Sequence, residues 1–373
     1  MLSVLRPRVL FSGICRFLLL SFVLTSQFAG AQTADSHYCA TDDWLEHRLE
    51  KAPELRERLR HMDAEIKALT LQEATHRTSA DTATYTIPVV FHFVHDNGPA
   101  NLDDSMAHRA LAHLNSAFAN TGYYDPNVGV PIYLQFTLSQ KGKWGEPANG
   151  INRIQSATYT HIQTWEDDDL LKLQYHWPTD KVLNIYSVRD IDFATAYASF
   201  PVGNEGDPMD GIVILADFVG HSERRSAVLA HEVGHCLGLY HTFQGNCRNF
   251  DCLLQGDRVC DTPPDAVWTV REGCDDNNNC FTDADDQSPN NPFTEDGPDM
   301  NENHMDYNNF ACMKAFTDGQ RRRMRFALRT FRPRLLASDY GKPAGIRDAA
   351  IYELKRPASS TVPVQAPSTS ARV

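Results

Sequence analysis

No apolar run in this chain is long enough to cross a membrane. Its one extended hydrophobic stretch, Phe17 to Phe28, falls short of the ~20 residues a spanning helix needs, and no second follows, which excludes stable membrane insertion. Basic excess is missing too. With 35 Lys and Arg against 48 Asp and Glu, the formal net charge is −13, and nucleic acid is excluded as a partner because a phosphate backbone calls for a basic face. There is no internal repeat and no recognisable added binding module. Between Cys247 and Cys312 lysine is absent altogether, and fifteen Asp or Glu stand against three Arg.

What is present begins with a leader. Arg6, Arg8 and Arg16 precede the apolar stretch, and Ala29-Gly30-Ala31 offers small residues for signal peptidase, so residues 1–31 read as a signal peptide and the chain as secreted or periplasmic. Cys15 lies before the apolar stretch, which argues against a lipoprotein anchor. At 373 residues and 42% hydrophobic content, the remainder can bury a substantial core in one or two domains with appendages.

The most specific pattern is His231-Glu232-Val233-Gly234-His235-Cys236-Leu237-Gly238-Leu239-Tyr240-His241. On a helix, positions four apart share a face, so His231 and His235 can aim two imidazoles at one ion with Glu232 beside them. A continued helix would carry residue 241 away. Gly238 provides the exit, because glycine tolerates the positive φ that ends a helix, and His241 returns to complete a three-histidine site with one position open. An open position marks a catalytic zinc site, and Glu232 is then the general base of a metalloprotease. Downstream, Asn303-His304-Met305-Asp306-Tyr307 places a methionine-containing turn expected beneath the metal.

These residues resemble the metzincin signature, HExxHxxGxxH followed by a Met-turn, and the surrounding text is similar to the pappalysin family. His241 to Gly245, Gly256 to Pro264, Asn303 to Tyr307, Cys312 and Phe316 to Gln320 carry the likeness, which spans about residues 85–330. It implies a zinc endopeptidase acting on proteins or peptides, with Tyr307 steadying the tetrahedral intermediate and a basic residue favoured after the cut. It also implies calcium near Asp257, Asp261 and Thr262, where hard oxygen ligands are available, and a disulfide between Cys274 and Cys312. His304 and Cys236 depart from common family choices without removing a ligand or the base.

Six cysteines, Cys247, Cys252, Cys260, Cys274, Cys280 and Cys312, cluster after the histidines and allow fifteen pairings; an exported chain favours disulfides there. Cys236 reads as a small buried hydrophobe. Cys39 stands alone in Tyr38-Cys39-Ala40-Thr41-Asp42-Asp43-Trp44. Several metzincins use a pro-segment thiolate to fill the open position on zinc, and Cys39 is expected to act as such a latency switch.

The chain divides as signal peptide 1–31, helical pro-segment 32–84, catalytic domain 85–336 and flexible tail 337–373. Apolar residues recur at helical spacing from about Asp42 to Leu71, and residues 72–84 form a polar linker open to proteolysis. Strand-like runs at Tyr85–His95, Ile132–Leu138, Val182–Val188 and Gly211–Ala216 alternate with helical stretches at Asp103–Phe118, Asp167–Leu173 and from Ser222. That alternation predicts an α/β upper subdomain, 85–241, with a mixed twisted sheet and the active-site helix. An irregular, disulfide-rich lower subdomain, 242–336, follows. His92 and His95 are expected to be structural. Clustered carboxylates, including Asp275-Asp276, suit either calcium or solvent. Arg321, Arg322, Arg323, Arg325 and Arg329 predict a C-terminal helix with a solvated basic face. Two other functions compete: a catalytically idle metzincin serving as an extracellular binding or adhesion module, and a calcium- and zinc-stabilised binding protein working through its acidic region. An intact Glu232 argues against an idle site.

Overall fold

The computed structural model describes residues 37–76, 82–124, 127–266, 274 and 277–344. The expected signal peptide, the middle of the polar linker, the Asp275-Asp276 pair and most of the tail lie outside the described residues.

A short strand, β1 (His37–Cys39), leads into helices α1 (Thr41–Lys51) and α2 (Glu54–His76). The sequence reads this region as one helical stretch. Pro53 divides it, because proline supplies no amide hydrogen and its ring clashes with the preceding turn. Both helices are nonetheless core elements, with Trp44, Leu49, Met62 and Ile66 buried.

Strand β2 (Tyr85–His95) is buried along nearly its whole length, as expected of a central strand covered on both faces. Helix α3 (Asp104–Ala119) follows, with Asp103 accepting from the Ser105 amide as its N-cap. Strands β3 (Leu134–Leu138), β4 (Ile151–Gln155) and β5 (His161–Ile162) precede helix α4 (Trp165–Tyr175). Then come β6 (Leu183–Val188), β7 (Asp190–Ile191), β8 (Ala194–Ala198) and β9 (Ile212–Leu215). The main sheet has seven strands in the order β1-β8-β9-β6-β2-β3, with β4 also paired to β2. All pairings in it are parallel except β8 with β9, so the sheet is mixed. Pro88 sits in β2 where only β3 flanks it; pairing with β6 begins at Val89, and the missing amide breaks no ladder on that side.

Helix α5 (Glu223–Cys236) starts at Ser222, whose side chain accepts from the Arg225 amide. It packs with α3 against one face of the sheet, around Phe91, Phe93, Leu114 and Val233. The other face is covered by α1, α2 and α4 around Trp44, Met62, Leu171, Tyr186 and Val213. After α5 the chain is irregular to residue 317, apart from one 3₁₀ turn among the described residues. Helices α6 (Asp318–Phe331) and α7 (Pro333–Leu336) follow, α6 being introduced by a capping box between Thr317 and Gln320.

Helix α6 corrects one expectation. Met324, Ala327 and Leu328 are buried as its spacing predicts, but so are Arg323 and Arg325. Arg325 donates to the carbonyls of Ala83, Ile132 and Tyr133, and Arg323 to the carbonyl of Gly238. These guanidinium groups supply donors to carbonyls in the loops before β2 and β3 and after α5, of which the Tyr133 carbonyl also accepts from the Tyr85 amide. Charge alone predicts a solvated face; the inward-facing acceptors reverse it.

Candidate metal centre

Helix α5 brings His231 and His235 onto one face, and the chain leaves it at Gly238, whose φ is 86°, in the left-handed region that glycine adopts without strain. His241 then folds back. The Nε2 atom of His235 lies 3.0 Å from that of His231 and 3.1 Å from that of His241.

The opposite ring nitrogens explain why this arrangement suits a metal ion. His231 Nδ1 faces the carbonyl of His304 at 2.6 Å and His235 Nδ1 that of Leu239 at 2.8 Å. His241 Nδ1 faces Asp42 Oδ2 at 3.1 Å. Carbonyl and carboxylate oxygens only accept, so each Nδ1 carries the proton, and in the neutral rings all three Nε2 atoms present lone pairs to one another. Burial holds the His231 and His235 pKa values well below the ordinary histidine range, reinforced by neighbouring His241. Three converging lone pairs repel unless a cation sits among them. The Cys39 thiol completes the set: the four donor atoms lie within 4.8 Å of one another, and imidazole nitrogen with thiol sulfur is the donor chemistry of zinc. This is the one such group among the described residues.

Glu232 is fully buried beside them. Its Oε2 accepts from the Thr41 hydroxyl at 3.3 Å and the Cys39 thiol at 3.6 Å, while Oε1 has no partner. Burial pushes its carboxyl up to about 8, against the smaller opposing pull of Cys39 and Thr41. Met305 lies fully buried under the helix, where a Cβ at Gly234 would come within 2.5 Å of its sulfur. Gly234 therefore belongs to the Met-turn packing. The Met305 carbonyl also accepts from the Thr242 amide at 3.2 Å, tying the turn to the segment just past His241. Tyr307 donates to the Cys39 carbonyl at 2.6 Å, and its ring stands edge-on to His241 at 4.8 Å.

Other sequence-derived residues fall as follows. Cys274 pairs with Cys312, Cys247 with Cys280 and Cys252 with Cys260; Cys236 is free and buried. Asp257 Oδ2 accepts from Thr262 Oγ1 at 2.7 Å. Asp261 turns elsewhere, accepting from the Thr317 hydroxyl and the Gly319 amide at the start of α6. His92 lies apart from the centre, held between Asn184 and Asn152. Sequence reasoning missed Thr41, Asp42 and Tyr38. Their nearness to the lone Cys39 was the available signal. It also missed Asp63 of α2, which receives Tyr240, Arg258 and Arg323 and which no spacing announces.

Comparison with known proteins points the same way. The family model described as pregnancy-associated plasma protein-A, peptidase M43, matches residues 166–329. The chain is 33% identical over 275 residues to an extracellular metalloprotease of Colletotrichum graminicola, covering 69% of this chain and 82% of that protein. It is 29% identical over 310 residues to an extracellular metalloprotease of Neurospora crassa, covering 79% and 89%. Among solved structures, a Tannerella forsythia promirolysin mutant aligns with a TM-score of 0.62 at 25% identity, covering 83% of this chain and 100% of that one. Mature mirolysin in complex with a cleaved peptide aligns at 0.56 and 27%, covering 70% and 99%. This chain belongs to the pregnancy-associated plasma protein-A family, the pappalysins, and is a metalloprotease.

Proposed function

We propose that this metalloprotease is a secreted zinc endopeptidase made as a latent precursor, in which His231, His235 and His241 hold the zinc and Cys39 occupies the position that water takes in the active form. The observation that carries the proposal is the convergence of three Nε2 lone pairs and the Cys39 sulfur next to Glu232. Zinc bound there supplies a Lewis acid for the scissile carbonyl. The chain's own residues do the rest. Glu232 removes a proton from the attacking water and returns it to the leaving amine. Tyr307, once its hydroxyl is released from the Cys39 carbonyl, donates to the oxyanion.

Residues 32–84 act in this reading as the pro-segment. Three of its side chains lie on the machinery: Cys39 among the histidines, Thr41 on Glu232 and Asp42 on His241. Its strand β1 covers the edge of β8, where an extended substrate would pair. Promirolysin covers more of this chain than mature mirolysin does, 83% against 70%, which supports the same division. Export through the signal peptide 1–31 is supported by relatives named extracellular metalloproteases. A structural calcium near Asp257 and Thr262 belongs to the proposal, as does a basic residue after the cut, for which the acidic stretch between Cys247 and Cys312 speaks.

The test uses the full chain, Cys39→Ala and Glu232→Ala, each assayed for zinc content and for hydrolysis of a mixed peptide library read by mass spectrometry. Cys39→Ala is expected to cut peptides before any processing of the linker. Glu232→Ala should keep its zinc and lose hydrolysis by at least about 100-fold. Zinc-loaded, processed protein that cuts nothing would sink the proposal in favour of a binding role.

A further inference from the structure

We infer that the pocket bounded by His231, Tyr307, Phe310 and Met313, filled here by Tyr38, is a specificity pocket that takes an aromatic or long apolar side chain from one of the two residues flanking the scissile bond. The inference rests on the endopeptidase reading and adds the substrate class to it.

Tyr38 is buried. Its ring meets His231 edge-on at 5.3 Å, Tyr307 edge-on at 5.3 Å and Phe310 at 5.0 Å. Phe218 backs that wall, 5.3 Å behind Phe310. The Tyr38 hydroxyl ends on the Met313 sulfur at 3.1 Å, and no carboxylate accepts from it among the described residues. Aromatic rings and a thioether form a box suited to a flat, uncharged side chain. Asp306 lies nearby, with its Oδ1 accepting from the Tyr307 amide.

The pocket's place in the reaction follows from the neighbouring residue. Cys39, directly after Tyr38, lies with its sulfur among the three histidines and its carbonyl on Tyr307. The segment therefore crosses the reaction centre with Tyr38 one position to the side, along the β8 edge. A substrate strand on that edge places the side chain next to its reacting carbonyl in the same box. Glu232 and Asp306 bear on the Tyr38 hydroxyl, which disfavours a carboxylate there; a guanidinium or ammonium group would feel that attraction but would exchange water for a thioether and aromatic edges with no carboxylate as its direct acceptor, so Tyr, Phe, Leu or Met fits the lining better. A pocket for the residue before the cut stands beside the basic preference after it; a pocket for the residue after the cut replaces that preference.

Processed, zinc-loaded protein is given peptides identical except at the two positions flanking the cut. On one side, Tyr, Phe, Leu or Met is expected to exceed Arg, Lys and Asp in kcat/KM by at least about tenfold, and Phe310→Ala should collapse the Tyr-to-Ala preference by a similar factor. That ratio is insensitive to a general loss of active protein. Arg or Lys favoured on both sides, or a preference unmoved by Phe310→Ala, overturns the inference. If nothing is cut, the endopeptidase reading fails, and the pocket is read instead by binding of a synthetic peptide of residues 37–51. Tyr38→Phe should then bind within about threefold of the parent and Tyr38→Arg at least about tenfold more weakly; equal binding by Tyr38→Arg overturns the inference.

Discussion

Replacing Asp63 with asparagine should loosen the N-terminal segment by about two orders of magnitude. The Asp63 carboxylate receives Arg323 at 2.7 Å, Tyr240 at 3.0 Å and Arg258. Its side chain is 13% exposed and that of Arg323 only 3%. Tyr240 lies between both guanidinium groups, at 4.6 Å and 5.0 Å from its ring. The substitution keeps the shape and removes the one carboxylate hydrogen-bonded to this arginine pair among the described residues, leaving Arg323 only the longer-range pull of Asp257. Breaking a buried ion pair from one side costs about 3 kcal/mol at the low end of the usual range. The low end applies because Arg258 is 29% exposed and Arg323 keeps the Gly238 carbonyl. At 1.4 kcal/mol per decade this is about 100-fold in the equilibrium for detaching α2. Hydrogen exchange on the full chain reads it directly, as faster exchange of the α2 amides. Glu65→Gln is the control: Glu65 is on the same helix, 48% exposed, with His61 its one ion-pair neighbour among the described residues at 3.7 Å, and should change exchange by less than about threefold. If Asp63→Asn leaves α2 exchange within that margin while the chain stays folded, the arginine pair does not hold the segment down.

Gly238→Ala meets Ala327 at 3.4 Å and Pro201 at 3.6 Å, so there is room for the methyl and the cost is the positive φ alone, about 1–2 kcal/mol. A fall of about 2 °C in the thermal midpoint is expected, with zinc lost at lower chelator concentration because the turn aims His241; an unchanged midpoint contradicts this. His92 gives a pH dependence. Burial lowers its pKa to about 3, and it bonds to Asn184 and Asn152 and stacks on Tyr186 at 4.5 Å. His176 and Lys143 are the charged neighbours that bear on it. Its folded pKa is depressed, so its contribution is complete above the unfolded value near 6.5 and is lost as pH falls toward 3. Relative to pH 8, the loss at pH 5 is about 2 kcal/mol. Denaturation midpoints across pH, compared with His92→Gln, check this, since the difference between the two chains should shrink as the pH falls; a constant difference refutes it.

The disulfides and the acidic loops show where local patterns stop being sufficient. Resemblance pointed to Cys274 with Cys312, and the fold agrees, yet the remaining four cysteines admitted three pairings, and proximity of loops 33 residues apart chose Cys247 with Cys280. Asp257 and Asp261 look equivalent in sequence. One bonds Thr262 and the other caps α6, because only the packing of residues 317–319 against that loop decides where Asp261 turns.

By itself, the sequence determined what depends on spacing along one short segment. Helical periodicity puts His231 and His235 on one face, and a glycine at 238 permits the positive φ that returns His241, so the proposed metal donors and base were legible within eleven residues. Alternating apolar runs likewise announced the mixed sheet and the strand Tyr85–His95, whose central place only the fold decided. Only the tertiary structure decided which distant groups meet them. Asp42 reaches His241 across 199 positions, Cys39 reaches Glu232 across 193, and Arg323 turns inward to Asp63 across 260. Such encounters are set by burial of α1 and α2 against the sheet, a whole-molecule balance of apolar packing and paired charge that leaves no periodic trace in the residues it brings together.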